Sequence, residues 1–580
     1  MSRNEACRFL LICSLLLWAC VTCAALAGMY RLWWERERID YLGKPIQQQR
    51  VAIWKHAGLP GRLLATAQNI GKTWPVDATY TATGDRNQLS YLKYLLIPRL
   101  PTGSSVYAVD ANGSYAPAGL GAAAEETLQG PSSISGLLLS LFSVVGMSLV
   151  LGSRILRKPF SLPELAGCVC LLLMGSVVAS RVLSQTAIPA FFLLALAGLG
   201  SWAMIISAWL MKKRCSPGES GGSAIIRTLS LNLSWKTVSL LVIIAISVVW
   251  AALMSVIVVP DDWDAWAIWA AKAKVLALGN GPLFDVGHFG HADYPLLWPS
   301  LWAFSGWLGG GWEEMWSRGW GTVFFVFCLW EITVIIERET GRRDTGLLGA
   351  ALFASMPMVP LIASWSYAET PFWMMTLSSF GCLMLWRSSH EPIHLVVAAV
   401  LAAGAAYTKN EGILFFGMSA LWILIVAQRH RIRTLILFSA VFSLLYLPWA
   451  FWIHCILNLG SHATAGIHFD HDNVVRVADR IPKAMAAIGG MWSDIRRWNL
   501  VLWAVGIASF LGCLKREFRQ NLFVPAGMLL GYFIIVVFHT DDIYWQVGTS
   551  WDRLTVQVMP MLIVLTVSKN WTMGVNTSST

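Results

Sequence analysis

KTVSLLVIIAISVVWAALMSVIVV, running from Lys236 to Val259, decides the fold. Its only charge is Lys236, at the first position. A helix rises about 1.5 Å per residue, so this stretch is long enough to cross a hydrocarbon core of about 30 Å. Fourteen such stretches are expected along the chain, at 9–28, 135–152, 163–184, 188–211, 236–259, 317–337, 345–363, 370–387, 393–408, 412–427, 433–453, 498–514, 521–539 and 554–568. Strand-type alternation is absent, which excludes a barrel and predicts an all-α polytopic membrane protein. The bulk numbers agree. Of 580 residues, 56% are hydrophobic and 13% charged, with mean hydropathy +0.57. A soluble domain carries about 25% charged residues. Disordered, fibrous and ordinary soluble chains are excluded, and so is a soluble body on one anchor.

The net charge of +10 would suggest nucleic acid in a soluble protein. Here the basic residues fall in alternate loops: Arg3 and Arg8; Arg154, Arg157 and Lys158; Lys212, Lys213, Arg214 and Arg227; Arg338, Arg342 and Arg343; Arg429, Arg431 and Arg433; Lys515, Arg516 and Arg519. That is the positive-inside pattern, and it places both termini in the cytoplasm with no nucleic-acid partner. The expected organisation is an uncleaved transmembrane anchor at 1–30 and an exported, small α+β segment at 31–133. An accessory transmembrane block follows at 134–235, containing the Ser-Gly-rich linker 216–223. The main module spans 236–568, and a cytoplasmic tail covers 569–580. The eleven Cys show neither a disulfide framework nor zinc spacing.

The charges that break the apolar pattern lie at the outer ends of spans far apart in sequence. Asp261, Asp262 and Asp264 follow the fifth span, Glu369 opens the eighth, Lys409 and Glu411 occupy the next outer turn, and Asp552 and Arg553 open the last. Ionisable groups beside hydrocarbon are costly and mark functional sites. Lys409 is a cation in a short outer turn, against the orientation rule. Trp263, Trp266 and Trp269 recur every three residues and predict an interfacial helix lying in the headgroup layer, with Lys272 on a neighbouring face. Acids and cations at a lipid surface suit transfer from a lipid-phosphate donor. A carboxylate takes the acceptor's proton, and cations stabilise the leaving phosphate.

Residues 240–568 resemble the polytopic glycosyltransferases of the GT-C superfamily, close to the protein O-mannosyltransferase and aminoarabinose-transferase branch (family 39-like). The resemblance rests on Asp261-Asp262-Trp263-Asp264, Tyr294-Pro295-Leu296-Leu297, Ser366-Tyr367-Ala368-Glu369-Thr370-Pro371, Thr408-Lys409-Asn410-Glu411-Gly412 and Trp551-Asp552-Arg553-Leu554, in that order. It implies a bacterial inner-membrane enzyme with its site on the periplasmic face and interfacial helices in its first periplasmic loop. The implied reaction is inverting transfer of a sugar from a polyprenyl-phosphate carrier to a lipid, glycan or protein hydroxyl. Asp264, Asp262 and Asp261 compete as the base, with Asp264 favoured. Arg553 and Lys409 are implied to hold the donor phosphate; Glu369, His291, Tyr294, Glu411 and Lys272 are implied to bind substrate. Some relatives bind a divalent metal at this acid, so Asp262 or Asp264 is the implied ligand where a metal is used. The usual Asp-Glu pair is absent here, and the four accessory spans depart from the family pattern.

Three other readings compete. An O-antigen ligase or polymerase would use diphosphate-linked saccharides and outer Arg and His residues, as in His462, His468, His471, Arg476 and Arg480. A lipid-linked saccharide flippase or transporter needs midplane charges and usually a repeat; midplane charges are few and no repeat is seen. A membrane scaffold would carry no reaction.

Overall fold

A computed structural model describes residues 134–156, 160–184, 188–215, 234–258, 263–278, 291–312, 314–427, 430–457 and 471–570, four short strands between 79 and 116, and isolated positions 18, 20, 22–24, 26, 27 and 70. Asp261, Asp262, His462 and His468 lie outside the described residues. The strands are β1 (Thr79–Thr83), β2 (Leu100–Pro101), β3 (Tyr107–Asp110) and β4 (Tyr115–Ala116). Their order is β2-β1-β3-β4. β1 runs parallel to β2 and β3, with Tyr80 opposite Tyr107, while β3 and β4 are antiparallel. Of the helical part expected at 31–133, only Ile70 is among the described residues.

Helices make up the rest. α1 is Ser135–Val150, α2 Leu162–Ser184, α3 Ile188–Cys215 and α4 Trp235–Ile257. α5 is Ala271–Leu278, entered through a π-wound turn over Ala265–Ala270, and α6 is Leu297–Leu308. α7 is Gly319–Thr340, α8 Arg343–Ala354, α9 Met358–Ser364, α10 Glu369–Ser389, α11 Pro392–Ala406 and α12 Glu411–Val426. α13 is Arg431–Phe451, α14 His471–Trp492, α15 Ile495–Trp498, α16 Val501–Gly512, α17 Arg516–Phe538 and α18 Ile543–Asn570. Starts follow local chemistry. The Ser234 hydroxyl accepts from the Thr237 amide to cap α4. Pro392 opens α11, where its missing N–H costs nothing.

Among the described residues, six helices are long and apolar enough to cross a membrane, and the bent pair α8–α9 makes a seventh. That is the build of a multi-pass membrane protein whose membrane part is helical. The expected span 345–363 is broken by 73° between α8 and α9, where Pro357 would clash with the carbonyl four residues back. The other expected spans from 135–152 onward each overlap a helix, but the apolar stretches Leu162–Val177, Pro392–Ala406, Glu411–Val426 and Val501–Gly512 are short. Leu444, Phe510 and Leu514 are among many large apolar side chains left exposed, an outward apolar belt suited to lipid.

Two parts of the first long loop differ from expectation. The segment Ala265–Ala277 is enclosed by protein instead of presenting its Trp face to headgroups. The π winding carries more residues per turn than an α-helix, so a three-residue repeat does not hold one outward stripe. Trp269 packs on Tyr294 at 5.5 Å between ring centroids, and Trp266 meets Trp263 edge-on at 6.4 Å. α6 is a buried apolar helix inside what the sequence marks as an exported loop. At twelve residues it is about 18 Å long, too short to span.

The accessory helices share the core of the main module. A Cβ on Gly136 of α1 would fall 2.0 Å from the Ser305 carbonyl of α6, so only glycine permits this approach. The Ser140 and Ser305 hydroxyls are 2.6 Å apart, and the Trp320 indole donates to Ser305 at 2.7 Å. At the other end, Arg338 of α7 pairs with the buried Glu164 of α2 at 3.1 Å.

Candidate active site

Five charged side chains from five separate elements form one chain of ion pairs. Asp264 stands where the chain enters the π-wound turn, and Glu369 and Glu411 open α10 and α12. Lys409 lies in the turn between α11 and α12, and Arg553 sits within α18. Arg553 Nη1 is 2.7 Å from Asp264 Oδ2 and 3.8 Å from Glu369 Oε1. Lys409 Nζ is 2.9 Å from both Glu369 Oε1 and Glu411 Oε1. Carboxylates at the first residues of helices meet the positive end of the helix dipole, which favours Glu369 and Glu411 where they stand.

Access across the chain is graded. The Glu369 side chain is 1% exposed, Lys409 7% and Asp264 27%. Asp264 is thus the open acid and Glu369 the enclosed one. Glu369 Oε2 is buried with no hydrogen-bond partner among the described residues, an unmet acceptor in a site otherwise closed by pairing. Burial alone would lower the Lys409 ammonium, but Glu369 and Glu411 outweigh it and hold it above the usual lysine range. Burial pushes the Glu411 carboxyl up, and Lys409 more than reverses this, leaving it below the usual range.

The loop returning toward α6 is clamped onto the same turn. Asn410 Nδ2 donates to Asp293 Oδ2 at 2.8 Å, and the Leu297 amide donates to the Tyr407 carbonyl at 3.1 Å. His291, in the left-handed region at φ 49°, stacks on Tyr294 at 4.7 Å. Lys272 is brought to this loop but not to its open side. It is buried, and its ammonium donates to the carbonyls of His291 at 2.6 Å and Tyr294 at 3.0 Å. Its expected substrate contact is therefore replaced by a bracing one. Burial lowers its pKa to about 7, with Asp293 opposing. Between about pH 7 and the usual lysine range, the unfolded chain holds this proton and the folded chain does not, so the stability tied to Lys272 rises with pH there. Lys272→Met is expected to cost about 1–3 kcal/mol by stranding two carbonyls and to flatten that pH slope. Thermal unfolding in detergent from pH 6 to 9 checks both; an unshifted midpoint contradicts the bracing role.

Four residues given no role from sequence join the site. The Arg553 guanidinium lies 4.9 Å from the centroid of Tyr367, whose ring meets Trp365 edge-on at 5.1 Å. Asp293 and Asn410 make the clamp described above. Arg318 is buried, donates to the Ser255 and Val258 carbonyls at the end of α4, and reaches Ser366 Oγ at 3.4 Å. It thereby ties the lead-in to the acid motif to the segment before Glu369. Arg318 carried the same signal as Lys409, a cation at an outer span end.

Asp552 pairs with Arg497, which also reaches Asp494 at 3.3 Å. Arg480 donates to the Asp541 carbonyl at 2.8 Å and the Val536 carbonyl at 3.3 Å, and Arg476 to the Phe538 carbonyl at 3.2 Å. Both arginines that kept a ligase in view are thus occupied at the end of α17. Among the described residues, no three His, Cys, Asp or Glu side chains are placed to hold a metal. Asp264 Oδ2 faces a guanidinium instead. Asp262, the other implied ligand, lies outside the described residues.

No family model, curated protein or solved structure matches this chain. Function has to be read from the site itself.

Proposed function

We propose that this protein is a GT-C-like membrane glycosyltransferase, with fourteen spans and its site on the periplasmic face of a bacterial inner membrane. It moves a sugar from a polyprenyl-phosphate carrier to an acceptor hydroxyl with inversion. The observation carrying this reading is the convergence of Asp264, Arg553, Glu369 and Lys409 from distant elements into one continuous ion network. Asp264, the most open acid of that network, takes the acceptor's proton as the acceptor oxygen bonds to the anomeric carbon. The carbon–oxygen bond to the carrier phosphate breaks, and the electron pair leaves on that phosphate. Arg553 meets the departing anion, with Lys409 behind it. The free oxygen of Glu369 is an acceptor for a sugar hydroxyl, and His291 and Tyr294 line the approach to the site.

The donor class is the test. Membranes containing the protein are given a labelled sugar on polyprenyl monophosphate, or a saccharide on the diphosphate. Consumption of the monophosphate donor alone is expected. Consumption of only the diphosphate donor would replace this reading with the ligase.

A further inference from the structure

The cluster holds three carboxylates, Asp264, Glu369 and Glu411, against two cations, Arg553 and Lys409. It therefore rests one negative charge in excess, the wrong sign for receiving a phosphate. Lys409 cannot correct this easily, since it is enclosed and bonded on two sides. Arg553 is differently placed. Its Nε donates to the Thr549 carbonyl at 3.2 Å and its Cζ lies over the Tyr367 ring at 4.9 Å from the centroid, so its position does not depend on Asp264 alone. Asp264 is the most exposed acid of the network, so it is the one most readily hydrated when its partner is taken.

We propose that the Asp264–Arg553 ion pair is a resting lock, opened when the phosphate of a lipid-phosphate donor takes Arg553 from Asp264, with Tyr367 as the positioning residue that holds the guanidinium through the exchange. This rests on the transferase reading and deepens it. A guanidinium fork suits phosphate as well as carboxylate, so the two anions compete for one group. Once displaced, Asp264 is a carboxylate without its cation and a stronger proton acceptor. Donor arrival thus arms the base, and an empty site keeps it tied.

The lock makes an expectation that a plain phosphate site does not. Dodecyl phosphate is titrated into the full-length protein in detergent, with intrinsic tryptophan fluorescence as readout. Asp264→Asn removes the competitor and is expected to tighten binding about fivefold, the worth of a partly exposed ion pair. Asp264→Ser is expected to do the same, and serves if the amide misfolds. Glu411→Gln relieves the same unit of charge but leaves Arg553 locked, so a change below about twofold is expected. In the Asp264→Asn background, Arg553→Gln and Tyr367→Leu should lose the gain, and Tyr367→Phe should keep it. Equal tightening by Asp264→Asn and Glu411→Gln would mean through-space charge only and overturns the lock. Unchanged or weaker binding by both Asp264 variants, where the wild type transfers sugar, overturns the lock and spares the transferase. No binding by any variant overturns the lock and withdraws the phosphate ground of the transferase as well.

Discussion

Asp264→Asn is expected to lower sugar transfer by about 10²–10⁴-fold while leaving the protein folded. The size follows from general-base catalysis, where loss of the positioned proton acceptor costs about that much. The intact fold follows from exposure. The Asp264–Arg553 pair is 27% and 18% exposed at its side chains, and pairs of this kind contribute about 0–1 kcal/mol. An amide keeps the volume and one acceptor oxygen. Initial rates in membranes, with thermal unfolding of the same preparation, read both quantities. Full activity with an unchanged melting midpoint would remove Asp264 from the reaction.

Lys409→Met is expected to do the reverse and remove the fold before any reaction can be measured. Its ammonium is the shared partner of Glu369 and Glu411, and at Glu369 both members of the pair are enclosed. Removing one partner of a buried pair leaves an uncompensated charge and costs about 3–5 kcal/mol. Adding Glu369→Gln should recover part of that loss, because the stranded carboxylate is then gone. Detergent melting curves of the wild type, the single and the double variant check this. Equal midpoints for wild type and Lys409→Met would show that the lysine is not the keystone of the network.

The contrast between these two residues shows what the sequence could and could not carry. Apolar length located the long helices such as α1, α4, α7, α13 and α17, because lipid-facing and core-facing positions are both hydrophobic and need no partner to be recognised; it did not locate α6 or α14, which lie in stretches expected as loops. Topology then placed Asp264, Glu369, Lys409, Glu411 and Arg553 at one end of the bundle. It did not say that Lys409 faces inward between two glutamates while Asp264 faces outward, since pairing depends on side-chain direction across elements. Lys272 was misread for the same reason: the carbonyls it braces are 19 and 22 residues away. One misreading had a local cause. The Trp repeat of 263–269 reads as an interface only if the segment is α-helical, and it is π-wound from Ala265. Tyr367 lay inside a recognised motif, but its use as a platform under Arg553 needs the fold.

The most direct measurement uses purified protein in lipid nanodiscs, given a polyprenyl-phosphate sugar and a membrane extract as acceptor source, with mass spectrometry following released polyprenyl phosphate. Release above empty nanodiscs by the wild type, falling to background for Asp264→Asn, is the expected result. No release by the wild type, or equal release by the variant, would contradict the assignment of this ion network as a glycosyl-transfer site.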